Sequence, residues 1–184
     1  LAPFVFARVD DSRGDVGEVF EAALARFADI APPAAPDPAA LAERIWESLR
    51  DTPDGAFDGI ITRLAPTLGD TGLSCLKTMI LAHEAAPTDA SEDHAALQFL
   101  RDLRGTGESV ATTQKRRLIK SCLQEIAVAQ GDIDAYIAQF SVAELRRPGE
   151  AAHVAALLVQ AARPEEALEI LANASATIAE GEVL

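Results

Sequence analysis

The stretch Ile60-Ile-Thr-Arg-Leu-Ala-Pro-Thr-Leu-Gly-Asp-Thr-Gly-Leu-Ser-Cys-Leu-Lys-Thr-Met-Ile80 decides the fold class. Ile60, Ile61, Leu64 and Leu68 fall at helical steps, and so do Leu73, Leu76 and Ile80. That spacing is one apolar face of an α-helix, met twice in succession. Inside the first run stands Pro66, which lacks a backbone donor and should kink or shorten the helix. Between the runs stands Gly69-Asp70. Glycine ends helices readily in the left-handed conformation, and an aspartate beside it caps the next helix and favours its positive end. The stretch therefore predicts two helices with almost no loop between them. The first also carries Phe57; the second runs through His83 and ends at Pro87.

Outward from this centre the pattern repeats. Gly-Asp recurs at Gly14-Asp15 and Gly131-Asp132, each beside a predicted helix start. Asp15 to Ile30 carries Val19, Phe20, Leu24, Phe27 and Ile30 on one face, and Ala31-Pro-Pro-Ala-Ala-Pro should end it. Asp37 followed by Pro38 reads as an N-cap with proline at the first helical position, ahead of a Leu41, Ile45, Leu49 stripe flanked by Trp46. Asp51 to Gly55 reads as a turn. Further helices are expected from Ser91 to Leu103, from roughly 112 to 130, around Ile133 to Phe140, around Val154 to Ala161, and from Pro164 onward. A break is expected at 145–149. Residues 1–9 fit either a helix end or an extended arm.

Short helices of this kind cannot each bury a stripe alone; they stack on neighbours. The expectation is an all-α fold, an αα-superhelix or solenoid of antiparallel helical hairpins. The segment Gln160-Ala-Ala-Arg-Pro-Glu-Glu-Ala-Leu is similar to a junction between tetratricopeptide-type helices, although no fixed repeat period is present. Residues 1–184 are expected to form a single helical domain. A start at Leu1 instead of Met points to a fragment of a longer chain.

Composition agrees. Aromatics are 5% of the 184 residues, so the core must be built from Leu, Ile, Val and Ala. The formal net charge is −13, which makes a nucleic acid or an anionic membrane a costly partner. No apolar run approaches bilayer-spanning length. Cys75 and Cys122 both sit at apolar-face helical positions, as reduced thiols of a cytoplasmic protein would.

Five stretches, Asp10–Phe20, Pro38–Leu49, Ala65–Leu73, Ile126–Ala138 and Ala162–Glu169, occur in an order that resembles an uncharacterised bacterial family of all-helical proteins of unknown function. That family is similar to helical regions that accompany SWIM-type zinc fingers. The resemblance spans nearly the whole chain. It implies a helical fold and no established catalytic residues, and two isolated cysteines cannot supply the ligands of the zinc finger itself.

Motifs of chemistry are few. Asp10, Ser12, Glu18 and Glu21 match oxygen-ligand positions of a calcium-binding loop, but Gly14 and Asp15 stand where the loop needs an oxygen side chain and a glycine. An acidic turn into a capped helix is the better reading. His83, His94 and His153 fall on different predicted helices, and Cys75 lies about 12 Å along the helix from His83, too far for one metal. Gly105 to Ser109 lacks the lysine of a phosphate loop. Asp51, Asp54 and Asp58 read as turn chemistry, and Trp46 as a packing anchor. No catalytic residue, cofactor site or metal site is therefore expected. Arg116, Arg117 and Lys120 share a helix face opposite Ile119, Cys122 and Leu123, and form the one candidate partner-binding set, suited to an acidic partner or a phosphate. The leading expectation is a protein–protein interaction scaffold that binds a protein or peptide. The alternative is an enzyme or small-ligand binder with a site between helices, which a deep pocket of convergent titratable residues would favour.

Overall fold

The computed structural model describes residues 15–52, 57–87 and 110–181, and among them all regular structure is helical. The expectations for the arm 1–9, for Asp10 to Gly14, for the helix capped by Ser91 and for the link 105–109 lie outside the described residues. In chain order the helices are α1 (Asp15–Ala34), α2 (Pro38–Asp51), α3 (Ile60–Ala85), α4 (Val110–Gln130), α5 (Ile133–Ile137), α6 (Val142–Leu145), α7 (Pro148–Gln160) and α8 (Pro164–Gly181). They group into two compact units, residues 1–129 and 130–184.

In the first unit the sequence stripes become the core. Leu41, Ile45, Trp46 and Leu49 of α2 are buried, and so are Ile119, Cys122 and Ile126 of α4. Leu68, Leu76 and Ile80 of α3 are wholly removed from solvent. Each such side chain contributes about 1.5–3 kcal/mol relative to an exposed position. The Asp37 carboxylate caps α2, accepting from the Ala40 N–H at 3.1 Å, with Pro38 at the helix start as expected. The end of α1 differs from expectation. It runs through Pro32 and Pro33 to Ala34, because a proline in the last turn forfeits one hydrogen bond yet keeps a helical φ. Ala35, at φ 44°, ends it and donates to the Pro32 carbonyl at 3.1 Å.

The expected joint inside Ile60–Ala85 is present. Gly69 sits at φ 54°, ψ −171°, a non-helical conformation that separates segment 60–68 from segment 70–85. Phe57 and Ile60 share a groove with Ile45 and Ser48 of α2, while Leu68 and the Pro38 carbonyl both lie beside Gly72. The first segment thus runs against α2. The second starts near Pro38 and reaches Trp46 with His83, whose rings are 5.3 Å apart, so it runs back along α2. A single glycine accomplishes the reversal.

In the second unit α7 and α8 pack as a hairpin, with Ala151, Val154, Ala155 and Leu158 buried on one helix and Ala167 and Ala174 on the other. Small side chains let the two backbones approach closely. Ala162, at φ 58°, turns the chain between them, and Arg163 then pairs with Asp134 at 2.8 Å and with Glu166 at 2.6 Å. Asp132 caps α5 through the Ala135 N–H at 2.9 Å, with Gly131 at φ 67° before it, as the Gly-Asp pattern predicted. The helix α6 was not expected. A capping box between Ser141 and Glu144 forms this single turn ahead of the Pro148 start of α7.

Gly69→Ala should lower stability by about 1–3 kcal/mol, because its φ/ψ pair is nearly closed to side-chain-bearing residues. Gly72→Ala should also destabilise, since its β-carbon would stand 2.7 Å from Leu68 Cδ2 and 3.0 Å from the Pro38 carbonyl oxygen. Gly149→Ala, in α7 with open space around it, should not. Urea unfolding of the three variants checks this; an unchanged midpoint for Gly69→Ala would contradict the reversal.

Candidate functional site

The first turn of α3 has no cap of its own. Its N-cap is Gly59, at φ 77°, with no side chain to offer. Uncapped first-turn N–H groups are a liability when they face protein instead of water. Glu125 of α4 supplies what is missing. Its Oε1 accepts from the Gly59 N–H at 3.1 Å, and its Oε2 accepts from Ile61 at 3.1 Å and Thr62 at 3.2 Å. The remaining donor, Ile60 N–H, reaches the Phe57 carbonyl at 3.1 Å. Every amide of that turn is satisfied, and an acidic group sits at the helix's positive end.

The other end of α3 is tied to the same helix. The Lys115 ammonium donates to the Ala86 carbonyl, at the negative end of α3. One helix, α4, thus places a carboxylate on the start of α3 and an ammonium on its end. Between these ties, where α2 ends and α3 both begins and ends, lies a cleft of about 540 Å³. Its charged lining divides by sign. Arg50, His83, Lys115 and Arg117 contribute to it, and so do Asp58 and Glu125.

The electrostatics follow the same division. His83 is shifted below its ordinary value, first by burial and then by Lys115 and Arg50. Its ring meets Trp46 edge-on, and the Arg50 guanidinium lies 5.7 Å from the centre of the Trp46 ring. Trp46 is therefore a buried anchor that also seats two cleft residues. At the acidic end, burial pushes the Cys122 thiol up to about 12, with Glu125 and Asp58 adding to the shift. Burial also raises the Glu125 carboxyl above its usual range, against the pull of its three amide donors. The cleft gathers Cys122 and His83 from different helices, but it suppresses both the thiolate and the imidazolium. That is the reverse of what cysteine nucleophiles require.

Of the residues singled out in the sequence, Arg117 opens into this cleft. Arg116 and Lys120 lie off its lining, Arg116 exposed and Lys120 half-buried. Asp58 lines the cleft, Asp51 is exposed at the end of α2, and Asp54 lies outside the described residues. Glu18 and Glu21 are on helix α1, with Glu21 paired to Arg63 at 3.4 Å. Among the described residues no group of three or more His, Cys, Asp or Glu converges as a metal site would require. Reading the sequence missed Arg50, His83 and Glu125 as site residues. Only the C-terminal position of Arg50 on its helix hinted at a role. A second concavity, of about 330 Å³, is apolar and runs between α1, α2 and the start of α3, with Phe20, Leu24 and Phe27 on one wall.

Glu125→Gln should destabilise the chain by about 1–3 kcal/mol, because an amide offers one carbonyl oxygen to three N–H donors and leaves at least one unsatisfied. A carboxyl raised on folding holds its proton more tightly in the folded chain. Its contribution is therefore full below pH 4.5 and is lost as pH rises through the raised value. Thermal unfolding against pH should show that fall in wild type and a smaller one in Glu125→Gln; identical profiles would contradict the assignment.

No curated protein and no solved structure matched the chain. A family of unknown function (DUF6880) matches residues 1–182. The chain belongs to that family, in agreement with its resemblance to uncharacterised all-helical proteins of unknown function.

Proposed function

We propose that this protein is a protein–protein interaction scaffold, its residues working as one helical domain, a divergent αα-superhelix of tetratricopeptide-like hairpins in a bacterial cytoplasm. Its likeness to helical regions beside SWIM-type zinc fingers belongs to the same reading. The supporting observation is the groove on α1 and α2. Phe27 is 42% exposed at its wall, and Val19 and Ile30 on the same helix are 68% and 62% exposed. Three large apolar side chains exposed along one helix beside an apolar groove are what a contact surface offers. The partner that suits such a surface is an amphipathic helix with apolar anchors at three- and four-residue steps. Arg116, Arg117 and Lys120 lie on α4, outside this groove, and would serve a separate acidic contact. Among the described residues no helix is long and apolar enough to cross a membrane.

Affinity capture of the full-length protein from its own lysate, read by mass spectrometry, tests the proposal. Wild type should retain one stoichiometric partner at low salt, and Phe27→Glu should lose it while keeping its melting temperature. A blank with wild type, or an identical set with Phe27→Glu, would overturn it.

A further inference from the structure

The cleft between α2, α3 and α4 shares only Phe57 with the apolar groove, and it gathers cationic side chains in a chain of net negative charge. The sequence has 29 acidic against 16 basic residues. Elsewhere Arg44 pairs with Glu47, Arg63 with Glu21, and Arg163 with Asp134 and Glu166. Among the described residues Arg50 and Arg117, which both line the cleft, have no ion-pair partner. Lys115 and His83 line it beside them. The acids of the cleft do not neutralise this group. Glu125 is committed to three backbone amides, and it lies ten residues beyond Lys115 on α4, about 15 Å along the axis. Asp58 belongs to that same distant end, where it acts with Glu125 on Cys122.

We propose that the cleft is a binding site for a small, multiply charged anion, a phosphate ester or a polycarboxylate, held between the Arg50 and Arg117 guanidinium groups with Lys115 and His83 beside them. Arginine forks grip such groups through paired charge-assisted hydrogen bonds, and the lysine adds a point charge. A histidine disfavoured as the cation, first by burial and then by Lys115 and Arg50, keeps one N–H to donate. Phe57 and Leu118 offer apolar wall to the body of the ligand. A cleft of about 540 Å³ has the capacity of a metabolite site, which favours a small molecule over an extended acidic chain.

Calorimetry of the full chain with sodium pyrophosphate and, separately, with citrate tests this. One-to-one binding of either probe is expected, weakened about tenfold or more by Arg50→Ala and by Arg117→Ala, and unchanged by Arg44→Ala outside the cleft. Whichever probe binds more tightly identifies the phosphate or the carboxylate source. The His83 ring protons provide a second readout. Arg50 from α2 and Lys115 from α4 act on His83, Arg117 lines the same cleft, and Asp58 and Glu125 are its acidic lining residues. A bound anion should therefore raise the pH at which His83 titrates. No heat from either probe at about 10 mM, equal weakening by Arg44→Ala, or an unmoved His83 titration would each overturn the proposal.

Discussion

The Glu125 carboxylate on the amides of Gly59, Ile61 and Thr62 is the constraint on which the first unit depends. It joins residues more than sixty positions apart, and it does so with backbone partners that only a proline substitution can remove. A helix that begins at glycine after a turn has its donors unmet unless another element supplies an acceptor. Here that element is α4, and the contact fixes its register. With Glu125 on the start of α3, Lys115 reaches the end of α3, and the side chains between them must border the space enclosed.

That register explains why the cleft has opposite charges at its two ends. α4 brings an acid to a positive helix end and a base to a negative one, so the charges that tie the helices also polarise the space between them. Arg117 stands two residues beyond Lys115, about 200° round the helix, so the two flank the cleft from opposite edges of the α4 face that lines it. Arg50 and His83 arrive there because Gly69 folds α3 back along α2 and brings the helix end that carries His83 to Trp46. A straight helix through Gly69 would carry His83 far from α2 and leave no cleft.

Much of the fold was legible in the sequence. The stripes of α2, α3 and α4, the Asp37 and Asp132 caps, and the Gly69 joint rest on local chemistry, on spacing and on φ/ψ preference, and all appear as read. The failures were local too: two prolines tolerated in the last turn of α1, and one turn of helix at Val142 held by a Ser141–Glu144 box. The site was far less legible. A run such as Lys115-Lys120 announces positive charge, but which member faces a cleft depends on what packs against the helix. The acceptor role of Glu125 had no local signal, because its partners are amides of a distant turn. Arg50 and His83 matter through a tertiary reversal that periodicity foretells but does not aim.

Native-state hydrogen exchange at the amides of Gly59, Ile61 and Thr62 tests this account most directly. First-turn amides of a helix ordinarily exchange quickly, having no intrahelical acceptor. If the Glu125 contact organises the unit, these three should be protected as strongly as the core amides of Leu76 and Ile80. Exchange at the rate of a frayed helix end would contradict it, and with it the register that builds the cleft.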